Sequence, residues 1–131
     1  MEKRIPLATP TMHTEELGFV HEAFEKNWIA PLGFNCDNFE AELCTYLGSE
    51  MHGLSLCSGT AALHLAMKLA GIQRGDIVLC SDMTFAATVN PVSYEGGTQV
   101  FIDSDPETWN MDPVALERAF EKYPQANGRG S

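Results

Sequence analysis

Positive charge is what this chain has least of. Eight Lys plus Arg stand against 18 Asp plus Glu, giving a formal charge of −10. Nucleic acids and anionic membrane surfaces both reward cationic surface, so neither is expected as a partner. Lysine is confined to Lys3, Lys26, Lys68 and Lys122. No apolar run approaches the roughly 20 residues that a transmembrane helix needs. Residues 1–6 carry charge with no apolar stretch behind them, so no signal peptide is read there and a cytoplasmic location is expected. Cys36, Cys44, Cys57 and Cys80 form no CxxC pair and have no paired histidines, so reduced thiols and no metal site are expected. His13, His21, His52 and His64 are scattered and read as ordinary surface or core residues.

What is present suits one globular domain: 131 residues, 44% of them apolar. Three regions are expected. Residues 1–51 read as an N-terminal arm and helices, 52–123 as an incomplete α/β domain, and 124–131 as a polar tail. Pro6 and Pro10 keep the arm extended. A helix is expected from an N-cap at Thr14, with Leu17, Val20 and Phe24 on its apolar stripe. Residues 27–33 break that period and form an unusually apolar loop. Asp37 with Glu40 resembles a capping box, opening a second helix with Phe39, Leu43, Tyr46 and Leu47 on one face and Gly48 as its stop.

The texture changes at residue 52. Residues 52–57 are of strand type, 61–70 are strong helix formers ending at Gly71, and Ile77, Val78, Leu79 and Cys80 form a second strand. A helix over 85–94, kinked by Pro91, leads through Gly96 and Gly97 to a third strand at 99–102. Asp112 as N-cap and Pro113 at the first helical position open a last helix, with Leu116, Ala119 and Phe120 inward. The order is βαβαβ, with parallel strands and two helices preceding. Three strands leave the sheet small and its edges uncovered.

The strongest candidate site is Ser58-Gly59-Thr60-Ala61. A strand delivers a glycine and hydroxyl residues to a helix start, whose free N–H groups and partial positive charge suit a phosphate. Plain helix capping by Ser58 or Thr60 is the alternative. The second candidate is Phe85, at the carboxyl end of the next strand. Ligands of open α/β sheets sit there, and an aromatic ring can stack on a flat heterocycle. The alternative is a core phenylalanine.

Several segments, in order, resemble the DegT/DnrJ/EryC1/StrS family of sugar aminotransferases. They are Asn27-Trp28-Ile29-Ala30-Pro31-Leu32-Gly33, Phe39-Glu40, Tyr46-Leu47-Gly48, Ser58-Gly59-Thr60-Ala61-Ala62-Leu63 and Gly75-Asp76. Thr84-Phe85-Ala86-Ala87-Thr88-Val89-Asn90, Val100-Phe101-Ile102-Asp103 and Asn110-Met111-Asp112-Pro113 complete the set. The pilin- and exopolysaccharide-sugar aminotransferases are the most similar group. The resemblance implies the N-terminal part of an aspartate-aminotransferase-like, fold type I large domain that binds pyridoxal 5'-phosphate. It implies that Gly59, Thr60 and Ala61 hold the cofactor phosphate and that Phe85 stacks on its ring. It also implies that Trp28 and Ile29 lie near the sugar substrate. The implied reaction moves an amino group, from glutamate as donor, onto a nucleotide-linked keto sugar for glycan biosynthesis, in a homodimer. Dehydratases with the same cofactor share these features.

Two departures stand out. Phe34 replaces a proline common in relatives, and the family's Schiff-base lysine has no counterpart among the four lysines. The chain is therefore expected to lack a catalytic residue of its own. A non-catalytic phosphate- or nucleotide-binding module, or a truncated product without function, is the alternative.

Overall fold

The computed structural model describes residues 5, 6, 8–48 and 50–124. The anticipated polar tail from residue 125 onward, and Lys3, lie outside the described residues. Two compact units divide the chain, Met1–Ser55 and Leu56–Ser131. Among the described residues no helix is long and apolar enough to cross a membrane.

The first unit holds helices α1 (Glu16–Glu25) and α2 (Phe34–Leu47). Thr14 does not cap α1. The His13 N–H and ring Nδ1 instead reach Glu16 Oε1, at 3.0 and 3.2 Å, and these hydrogen bonds hold the Glu16 carboxyl below its ordinary range, the backbone one most. Asn27 adopts a left-handed φ of 56°, which ends the helix and turns the chain into the apolar loop. The Trp28 N–H bonds back to the Ala23 carbonyl at 2.7 Å. Helix α2 starts at Phe34, three residues before the anticipated Asp37. Glu40 closes no capping box. Its Oε1 accepts from the N–H and hydroxyl of Ser55, at 2.6 and 2.7 Å.

That contact accounts for a second difference. Residues 52–57 do not form a strand. The Ser55 N–H, which a sheet ladder would need, is spent on Glu40. The chain also lies close on α2, where a Cβ on Gly53 would stand 3.1 Å from both Cys44 Sγ and the Glu40 carbonyl.

The second unit is α/β. Helix α3 (Gly59–Leu69) precedes strand β1 (Ile77–Ser81), a 3-10 turn (Ala86–Thr88), helix α4 (Asn90–Tyr94), strand β2 (Thr98–Ile102) and helix α5 (Pro113–Lys122). The strands pair in parallel from Ile77↔Thr98 to Ser81↔Ile102, so the sheet has two strands and one βαβ crossover in place of the anticipated βαβαβ. Pro91 divides the helix expected over 85–94 into the 3-10 turn and α4.

Cys80, Val89 and Val92 form the core, with Met67 and Val78 packed against them. Burial pushes the Cys80 thiol pKa up. Gly97 is required by close packing, since a Cβ there would meet Ile72 Cγ2 and Val92 Cγ1 at 3.0 Å. Helix α5 begins as its sequence predicts. Asp112 Oδ1 accepts from the Val114 N–H at 2.9 Å, a cap worth about 1 kcal/mol, and Ala119 is buried.

Candidate functional site

Three features of the second unit gather near the sites expected of a ligand. The first is the N-terminus of α3. Ser58 is extended and its Oγ accepts from the Ala61 N–H at 3.2 Å. The first helical hydrogen bond runs from the Ala62 N–H to the Ser58 carbonyl, at 3.1 Å. Gly59 and Thr60 therefore lie ahead of the ladder, with N–H groups that have no partner inside the helix. Gly59 is exposed and Thr60 half-buried, and a Cβ on Gly59 would meet nothing within 4 Å. Ser58, rather than Thr60, is the cap, and Ala61 has already committed its N–H to it. The amides left for an anion are those of Gly59 and Thr60.

The second feature is Phe85, just beyond the carboxyl end of β1. Its side chain is 81% exposed, so it is not a core residue. Its carbonyl accepts from the Thr88 N–H at 2.8 Å, which anchors the start of the 3-10 turn. Thr84 Oγ1 bonds Thr88 Oγ1 at 2.9 Å across the same turn. Helix α3 packs on this turn and on α4, so the open amides and the exposed ring belong to adjoining elements.

The third feature is an open cavity of about 500 Å³ past the carboxyl ends of both strands, lined by Asp82, Met83, Asp103, Ser104, Pro106 and Trp109. Ser104 Oγ donates to Asp82 Oδ1 at 2.9 Å. One wall is a turn built on Asp105, whose Oδ1 accepts from the N–H groups of Thr108 and Glu107 and from Thr108 Oγ1. These bonds, the one from the Thr108 N–H most of all, hold the Asp105 carboxyl below its ordinary range. Position and shape match the crevice where α/β sheets take ligands.

Trp28 and Ile29 lie in the first unit, 45% and 63% exposed. Phe34, in place of the proline, packs its ring against Trp28 with centroids 5.7 Å apart. Lys26 Nζ stands 5.5 and 5.4 Å from the centroids of the Trp28 and Phe34 rings and pairs with Glu22.

Sequence reasoning missed one cluster. Glu95 Oε1 takes His64 Nε2 at 2.5 Å and Lys68 Nζ at 2.8 Å. Lys68 most strongly, then His64, lowers the Glu95 carboxyl pKa. The available signal was the i,i+4 spacing of His64 and Lys68, which puts both on one face of a helix. Lys68 sits in the last turn of α3, at the opposite end from Ser58. Lys122 lies in the last turn of α5, over the Tyr123 ring. Among the described residues of this unit, no lysine stands at the open amides.

A phosphate ester on a flat ring fits these residues: open backbone amides for the anion and an exposed aromatic for the ring. The chain is similar to proteins of that chemistry. It is 48% identical over 93% of its length to EpsN of Bacillus subtilis, which is named as a pyridoxal phosphate-dependent aminotransferase, and covers 31% of it. GDP-perosamine synthase of Caulobacter vibrioides is 38% identical over 87% of this chain and 30% of its own. Among solved structures, the sugar aminotransferase Spr1654 of Streptococcus pneumoniae in its PMP form superposes with a TM-score of 0.78. Its identity is 29%, over 89% of this chain and 29% of that one. The α/β unit with parallel strands is thus part of a fold type I domain. The chain spans about a third of the length of the curated relatives it matches. The model of the DegT/DnrJ/EryC1/StrS aminotransferase family matches residues 10–126, and the chain belongs to that family.

Proposed function

We propose that this chain supplies the phosphate-binding part of a pyridoxal 5'-phosphate-dependent sugar aminotransferase. The carrying observation is the N-terminus of α3, with Gly59 and Thr60 amides open and Ser58 fixing the first turn. The helix dipole adds roughly 0.3–1 kcal/mol of attraction for an anion there. Gly59 lets the anion approach the backbone, and Ala61 joins if Ser58 yields its cap bond. Phe85 offers a ring face for stacking, worth about 0.5–1.5 kcal/mol. The cofactor, when bound, supplies the electron sink for amino transfer. The chain's residues bind and orient it. The lysine required for covalent attachment and proton transfer would come from residues beyond those described, as the greater length of the relatives suggests.

The whole enzyme would act on a nucleotide-linked keto sugar, with glutamate as amino donor, as a cytoplasmic homodimer. GDP-perosamine synthase and Spr1654 support the sugar, by their names. Trp28 and Ile29 would line the sugar's approach.

Titrating pyridoxamine 5'-phosphate into isotope-labelled protein tests this reading. The amine form makes no imine with surface lysines, so it reports the non-covalent site alone. The amides of Gly59 and Thr60 are expected to shift most, and Phe85→Ala should weaken binding by about 0.5–1.5 kcal/mol with an unchanged melting temperature. Absence of shifts at Gly59 and Thr60 would refute the assignment.

A further inference from the structure

Helix α3 carries the open amides, yet none of its residues is buried. Its apolar hold on the unit runs through Met67 against the Cys80–Val89–Val92 cluster. Apolar contact is non-directional, so it fixes the register of a helix less sharply than a directed polar bond does. Among the described residues, the polar side-chain bonds from α3 to another element all end on Glu95. His64 Nε2 and Lys68 Nζ, one turn apart on α3, converge on the same oxygen, Oε1. The His64 ring also stands edge-on to Tyr94, centroids 5.3 Å apart. An ionised carboxylate only accepts, which assigns the hydrogen to His64 Nε2.

Glu95 directly follows α4, and α4 is itself held. Gln99 Nε2 on β2 donates to the Val89 carbonyl at 3.0 Å and to Ser93 Oγ at 2.6 Å. Pro91 and Val92 are buried. The segment carrying Phe85, the 3-10 turn and α4 is therefore fixed to the sheet, and Glu95 is the point at which the polar side chains of α3 join that segment.

We infer that Glu95 is a positioning residue of the cofactor site, setting the spacing between the amides at the start of α3 and the Phe85 ring. The inference rests on the phosphate-binding reading above. A ligand that touches both subsites through one rigid body needs their separation held, whereas a ligand that touches one does not. Glu95 thus matters for the linked ligand and not for its halves.

Three probes test this on the full chain: pyridoxamine 5'-phosphate, pyridoxamine and inorganic phosphate. Glu95→Ala is expected to weaken pyridoxamine 5'-phosphate roughly tenfold, equivalent to about 1.4 kcal/mol. Pyridoxamine and phosphate should bind as they do to the parent chain. Glu95→Gln, which keeps an acceptor oxygen, should recover most of the loss. If Glu95→Ala fails to fold, Lys68→Met replaces it, with a smaller loss expected and Lys68→Arg restoring affinity. Unchanged affinity for pyridoxamine 5'-phosphate in the variant would overturn the inference alone. Equal weakening of all three probes would overturn it too, by making Glu95 a general prop. If the parent chain binds no pyridoxamine 5'-phosphate, the cofactor reading and this inference fall together.

Discussion

The two units use apolar residues in opposite ways. In Met1–Ser55 both helices are amphipathic in sequence, yet none of their residues is buried. Phe19, Phe24, Phe39 and Leu47 are each more than half exposed. In Leu56–Ser131 a similar share of apolar residues builds a core, with Val92 at 1% and Ile102 at 3% exposure. The difference lies in layering. Two paired strands give a flat apolar surface on which helices can close, whereas a helix stripe buries only what a second layer covers. Apolar periodicity predicts which face is available for burial. It does not predict that anything covers it.

The largest expected effect breaks the core on the paired side. Val92→Asp places a carboxylate where the side chain is enclosed among Cys80, Val89 and Met67. Burial of an unpaired charge belongs to the mechanisms that cost more than about 4 kcal/mol. Loss of the cooperative transition of this unit by circular dichroism is expected. A folded variant with a melting point near that of the parent would show that the core is far looser than its packing.

This asymmetry also explains what was legible in the sequence. Helix α3, the two paired strands and the Asp112 cap carry strong local signals, and each formed within a residue or two of expectation. Residues 52–57 have strand composition but no pairing partner among the described residues, and pairing is non-local. The start of α2 was missed because Glu40 serves Ser55, 15 residues away, and not its own helix end. The same limit hid Glu95, whose partners lie 27 and 31 residues earlier in the chain. The start of α3 was legible because glycine and hydroxyl residues act where they stand. Which amide stays open was not, since it depends on Ser58 having taken Ala61.

A smaller effect sharpens the picture at the carboxyl ends of the strands. The Asp105 carboxyl is held low by bonds from the Thr108 and Glu107 N–H groups and the Thr108 hydroxyl. A lowered folded-state pKa means that its stabilisation is complete above the ordinary aspartate range. It fades as pH falls through the lowered value. Between neutrality and about pH 5 the turn should be unchanged, and below about pH 4 the Thr108 and Glu107 amides should lose protection. Hydrogen exchange followed against pH reads this directly. A midpoint at or above the ordinary aspartate value would contradict the bonding seen here.

The smallest expected effect is the most informative about the first unit. Phe39 lies on α2, 59% exposed, beside a shallow cavity of about 390 Å³ that Phe19, Asn35 and Glu42 also line. If that face is open in solution, Phe39→Ser removes little buried area and changes stability by no more than about 0.5 kcal/mol, as surface substitutions do. A buried phenylalanine truncated this far would cost about 3–5 kcal/mol. The two outcomes differ several-fold, so one thermal or urea denaturation series separates them. A cost of several kcal/mol would mean that something covers the α2 face in solution, and the contrast between the units would then be one of partners and not of architecture.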